Sequence, residues 1–140
     1  MSTSAPDSRW WYLVLAVPVF YALATVLSFV VGFVAFVATL VGVTGGVGGG
    51  PGSSELAVGF GVVGIVGLVL LVVLVGLVLS LAFPIALYFD AEALADADTT
   101  WQPDPALYGL LGLASVVAQP LQIPLGVYYL YKRHEAVGVP

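Results

Sequence analysis

Cysteine is absent from this chain, which removes disulfides, thiolate nucleophiles and cysteine metal sites from consideration. Charge is scarce as well. Only 8% of residues are charged, against about 25% in ordinary soluble domains, so water-facing surface is in short supply. Three bases stand against eight acids. That balance argues against nucleic acid as a partner, because phosphate binding needs clustered Lys and Arg. It argues equally against a polybasic anchor on a membrane surface. The one histidine, His134, lies beside Lys132, Arg133 and Glu135 with no partner constellation elsewhere. It reads as a solvated interface residue, not as a ligand or a base.

What the chain does have is apolar length. Of its 140 residues, 61% are hydrophobic, more than a single soluble domain of that size could bury. The stretch Leu56 to Phe89 carries no charge. About 20 apolar residues cross a bilayer core of roughly 30 Å, and a crossing segment must satisfy its own backbone, so the stretch is expected to be helical. The polar remainder is acidic and nearly free of lysine, while the apolar runs are rich in Val, Ala and Gly. That composition fits a halophile, whose acidic surfaces stay hydrated in concentrated salt.

The first apolar run, Trp10 to Val43, follows Arg9 as a signal peptide would, but its 34 residues exceed a 7–15-residue signal core. An uncleaved membrane helix is expected instead, capped by Asp7 or Ser8. Trp10, Trp11 and Tyr12 would settle at the headgroup level. Pro18 frees the carbonyl of Val14 and permits a kink. Small and hydroxyl residues then fall in register at Thr25, Ser28, Gly32, Ala35, Thr39 and Gly42, with spacings of 3, 4, 3, 4 and 3. This is one helical seam, expected to pack on another helix. Chance in a Val/Ala/Gly-rich run is the alternative.

Thr44 to Ser54 reads TGGVGGGPGSS, a loop by its glycines and Pro51. It lacks the Lys followed by Ser or Thr of a phosphate loop. The GxGxxG spacing at Gly59, Gly61 and Gly64 has no preceding strand, so no dinucleotide site is read there. Ser53 or Ser54 can cap the second helix, with Glu55 near its positive end. Ala57 with Gly61, Gly64, and Gly76 with Ser80 are small residues suited to helix contact. Tyr88 and Phe89 mark the far interface.

Asp90 to Asp98 reads DAEALADAD and is expected to continue the helix out of the membrane, leaving only about Thr99 to Asp104 as the connection, so that the acidic turn over 90–104 gathers Asp90, Glu92, Asp96, Asp98 and Asp104 with no base among them. A hard cation could bind such oxygens, but the spacing is not that of a calcium loop, and a solvated turn is the plainer reading. Trp101 is a further interface anchor. Asp104 and Pro105 form an N-cap and N1 pair that starts a third helix. The short connection would make helices two and three an antiparallel hairpin.

The third run is the most polar, with Ser115, Gln119 and Gln122 beside Pro120 and Pro124. The prolines leave the carbonyls of Val116 and Pro120 without their usual partners. The glutamines are read first as packing groups and second as the lining of a polar path. Tyr128, Tyr129 and Tyr131 close the run as an aromatic belt, with Lys132 and Arg133 as basic anchors.

The chain from Tyr88 onward resembles the uncharacterised small multi-span membrane proteins of halophilic archaea. Tyr88-Phe89-Asp90-Ala91, Trp101-Gln102-Pro103 and Tyr128-Tyr129-Leu130-Tyr131-Lys132-Arg133-His134 carry the resemblance. Glu92 departs from it, since relatives are often basic nearby. The resemblance implies a paired-helix membrane hairpin, no established activity and no site residue.

The expectation is therefore an all-α integral membrane protein with three transmembrane helices, about 11–42, 60–89 and 106–131. Lys132 and Arg133 inside against Arg9 outside would put the C-terminus in the cytoplasm and the N-terminus out. Were the third helix to re-enter around its prolines, both termini would share the inner face. No cofactor or catalytic residue is read. The expected role is that of a non-enzymatic accessory or structural subunit, contacting lipid and either another membrane protein or itself. A transport or channel component with a polar path near Gln119 and Gln122 is the alternative. A membrane-embedded enzyme stands third, because deep acids, histidines and metal ligands are missing.

Overall fold

The computed structural model describes residues 8–44, 53–97 and 99–138, and the side chains among them except those of 41–44 and 53–60. The glycine-rich stretch 45–52, Asp98, and the side chains of Asp7, Gly42, Ser53, Ser54, Glu55, Ala57 and Gly59 lie outside that description. All regular elements are helical: α1 (Trp11–Thr44), α2 (Ser53–Asp96), α3 (Pro105–Val117) and α4 (Gln122–Val137). Among the described residues there is no strand.

Two helices are long and apolar enough to cross a membrane, Trp11–Leu40 and Gly61–Asp96. Their most apolar stretches are 0% and 6% buried, so the described part of the chain leaves them uncovered. Phe29, Phe33, Phe36, Leu70 and Leu74 are among the large apolar side chains left uncovered.

The chain divides into two units, Ala22–Val75 and the remainder on either side of it. In the first, Thr25, Ser28, Gly32 and Thr39 are exposed and Ala35 is half-buried. Nothing lies within 4 Å of a Cβ built on Gly32, Gly61 or Gly64. The seam expected to pack on another helix therefore faces outward in the single chain. Thr39 Oγ1 turns back onto the carbonyl of Ala35 at 2.8 Å, satisfying itself within its own helix.

The second unit holds the core: Val14 and Val17 of α1, Phe83, Ala86, Leu87, Ala91 and Leu94 of α2, and Tyr108, Tyr129 and Leu130. Gly76 and Ser80 are buried on the α2 face that continues through Phe83, Leu87 and Leu94, alternating by four and three. A Cβ on Gly76 would come within 3.2 Å of the Phe20 ring, so this small residue admits a close neighbour.

The expected single helix over 106–131 is two helices. α3 starts as expected: Asp104 accepts from the amides of Ala106 and Leu107 at 2.9 and 3.2 Å, with Pro105 at the first helical position. It stops at Val117 because Pro120 has no N–H for the Val116 carbonyl. Ala118 leaves the helical region at φ −102°, ψ 67°. A single 3-10 turn, Gln119–Leu121, leads into α4. α4 ends on Gly138, whose φ of +77° is the left-handed cap that glycine tolerates.

The contacts along α2 give the direction of each piece. Gly109 meets Tyr88, and Gly112 meets Pro84 and Leu87, so α3 descends along α2. Gln122 meets Ser80 at the turn. Gly126 then meets Phe83, and Tyr129 and Arg133 meet Asp90, so α4 climbs back. Trp101, Tyr108 and Tyr129 close the open end, with ring centroids 5.1 to 5.8 Å apart. The Arg133 guanidinium lies 5.4 Å from the Trp11 ring, so the start of α1 and the end of α4 share one level. One straight span over 106–131 would have held those residues a bilayer apart. Ten residues separate Ser80 from Asp90, which makes the fold-back about 15 Å deep.

Candidate functional site

Asp90 is wholly buried, at the end of the apolar part of α2. A carboxylate withdrawn from water must be paired and hydrogen-bonded. Three chain segments converge to do this. Ser8, before α1, donates its hydroxyl to Oδ1. From α4, the Tyr129 hydroxyl and Arg133 Nε donate to Oδ2 at 2.9 and 3.0 Å. Tyr129 and Arg133 are four residues apart and so lie on one face of α4. Arg133 is itself only 2% exposed and packs over the indole of Trp11. The guanidinium is therefore held by charge from one side and by an aromatic face from the other.

Nearer the turn, Gln122 is wholly buried and donates Nε2 to Ser80 Oγ at 2.6 Å. Its Oε1 is the one buried side-chain polar atom among the described residues with no hydrogen-bond partner. Ser115, also buried, donates to the Gly112 carbonyl within its own helix at 2.6 Å. Gln119 is exposed on the 3-10 turn. The three polar residues singled out in the third run thus part company: Gln122 bridges to α2, Ser115 satisfies itself, and Gln119 faces outward.

The interface anchors divide too. Trp10 stacks on Phe89 at 5.1 Å and remains partly exposed, as do Tyr88, Tyr128 and Tyr131. Lys132 pairs with Glu135 at 2.8 Å on the surface, and that hydrogen bond holds the Glu135 carboxyl below its ordinary range. Tyr129 and Arg133 are not surface anchors: both are buried on Asp90. Asp90 is likewise not part of a solvated acidic turn, because the helix continues to Asp96 and folds it inward. Glu92, Asp96 and Asp104 stay exposed. Among the described residues no three acidic or histidine side chains converge as metal ligands.

Sequence reasoning missed the Asp90 cluster because each member looked ordinary alone. The available signal was a lone Asp ending an apolar run, matched by a Tyr and an Arg one turn apart at the end of another.

No protein-family model, curated protein or solved structure matches this chain.

Proposed function

We propose that this chain is a multi-pass integral membrane protein of the cell membrane, with no catalysis of its own, serving as an accessory or structural subunit or associating with itself. The observation that carries this reading is how the polar groups are used. Asp90, Arg133, Tyr129, Ser80 and Gln122 join helix to helix, while α1 and α2 present apolar side chains outward. Lipid covers such a surface without unsatisfied backbone, because both helices bond internally.

In this reading α1 and α2 span the membrane, and α3 with α4 re-enters to about half its depth and returns. Both termini then lie on one face with Arg9, Lys132 and Arg133, leaving the glycine-rich connection with no base on the other. The positive-inside tendency puts that basic face in the cytoplasm. The exposed acids Glu92, Asp96 and Asp104 accord with a halophilic membrane protein of the kind the C-terminal half resembles.

The experiment is co-purification from native membranes at high salt in mild detergent, with the mass of the intact assembly measured. A stoichiometric second protein identifies an accessory subunit. A multiple of 14.5 kDa identifies self-association. A monomer that carbonate extracts from the membrane overturns the reading.

A transport role is supported by one observation, the unpartnered Gln122 Oε1, three positions along the chain from the exposed Gln119. Solute flux in liposomes that disappears in Q119L/Q122L would favour it over the accessory role.

A further inference from the structure

The fold-back puts an irregular backbone where a bilayer does not accept one. On the membrane reading just given, the 3-10 turn lies about 15 Å in from the Asp90 level, near the middle of a core roughly 30 Å thick. At the break the backbone bonds run from Ala118 N to the Ala114 carbonyl, Leu121 N to the Ala118 carbonyl and Gln122 N to the Gln119 carbonyl. The Val116 and Val117 carbonyls accept none of these, and Pro120 has no N–H to offer. Val117 is 91% exposed, and Gln119, Pro120 and Leu121 are exposed with it. Non-helical backbone at this depth persists only where protein or a water-filled cavity covers it, since each unsatisfied group in hydrocarbon costs several kcal/mol.

The chemistry of the tip indicates what covers it. The patch carries no charge, so no ionic partner is called for. It offers both halves of a hydrogen bond: free carbonyl acceptors on Val116 and Val117, and the two-donor amide of Gln119. A patch holding donors and matching acceptors is complementary to itself, which is what a two-fold contact between identical chains requires. Val117 and Leu121 supply apolar surface around it.

We propose that a second copy of this chain covers the tip of the α3–α4 hairpin, so that two hairpins meet at mid-membrane with each Gln119 amide donating to the freed carbonyls of the other copy.

The absence of cysteine makes the test direct. Val117→Cys is introduced in the full chain, which is purified and reconstituted in lipid vesicles. A second protein carries Leu74→Cys instead, exposed within the long apolar run of α2. Each is oxidised in air with copper phenanthroline, which enters the bilayer and joins two neighbouring thiols as a disulfide while dioxygen takes up the electrons, and, separately, is treated with a water-soluble maleimide. A thiol reacts with maleimide as its thiolate, which forms only where water reaches it. The expected result is a V117C species at twice 14.5 kDa, with L74C silent to both reagents. Adding Q119L should cut the crosslinked fraction roughly three- to eightfold, the loss of one or two intramembrane hydrogen bonds. Monomeric V117C that the maleimide alkylates would show a water-lined tip and overturn the proposal. Monomeric V117C inert to both reagents would overturn it as well, with the membrane reading intact. Ready alkylation of L74C would overturn the membrane reading itself, and the proposal with it.

Discussion

Asp90 and Arg133 are 43 positions apart in sequence and meet at 3.0 Å with both side chains withdrawn from solvent. The pair joins the end of α2 to the end of α4. A buried pair of this kind need not add net stability over an apolar replacement, but leaving one charge behind is costly. Arg133→Met should lower stability by about 3 kcal/mol, because Asp90 stays buried without its cation. Asp90→Leu combined with Arg133→Met should lose much less than the two single changes summed. Reversible unfolding in mixed detergent measures all three variants, and strict additivity would show that the pair does not couple the helices.

The glycines of the two units should respond differently to a methyl group. A Cβ on Gly112 would fall 2.6 Å from Pro84 Cα and 2.9 Å from its Cβ, a contact the backbone can relieve only by moving. Gly32→Ala meets nothing within 4 Å. G112A should therefore destabilise by about 1–3 kcal/mol through overpacking, despite the gain in helix propensity, and G32A should not. Equal melting temperatures for the two variants would remove the close approach of α3 to α2.

Gln122 offers a third check, since its amide donates at 2.6 Å to the Ser80 hydroxyl and only at 3.5 Å to the Ser80 carbonyl. Ser80→Ala removes the acceptor 2.6 Å from Nε2 and leaves a buried amide poorly satisfied, at a cost of about 1–3 kcal/mol. Ser80→Ala with Gln122→Leu replaces both partners by apolar groups and should recover most of that loss. Failure of the double change to recover would mean that Gln122 is held by something other than Ser80.

Much of this arrangement was legible in the residues. Asp104 with Pro105 marked the start of α3. The freed carbonyl at Val116 was visible from Pro120. The prolines left a re-entrant third helix open beside the straight crossing, and the residues did not decide between them. Hydropathy registers length alone, and a run from Leu107 to Tyr131 scores alike as one full crossing or two half crossings. The reversal is also what brings Asp90 to Tyr129 and Arg133, so the cluster was hidden with it. The seam at Thr25, Ser28, Gly32 and Thr39 is exposed among the described residues, so the packing it predicts involves surface that the single chain leaves open.

The surface pair Lys132–Glu135 should behave unlike the buried one. Its carboxyl is lowered by the Lys132 hydrogen bond, so any contribution is present above the ordinary carboxylate range and fades as pH falls through the folded value. Both side chains are substantially exposed, and such pairs are screened by water and salt. Glu135→Gln should leave the melting temperature unchanged at high salt. A clear drop would place this end of α4 in a less polar setting than the structure gives it.

The topology can be read by labelling, and here the fold-back and the straight third span differ most. Thr99 lies in the turn between α2 and α3, and its hydroxyl donates to the Trp101 carbonyl at 2.7 Å. His134 is exposed near the end of α4. With α3 and α4 returning to the face they left, Thr99→Cys and His134→Cys should label from the same side, and Val47→Cys in the glycine-rich connection from the other. On the proposed orientation the first two lie in the cytoplasm, so an impermeant maleimide should reach them only after lysis and should reach Val47→Cys in intact cells. Thr99 and His134 labelling together from outside would reverse the orientation and keep the hairpin. Labelling from opposite sides would mean that α3 and α4 cross as one span, and the contact of Arg133 with Asp90 could not then form.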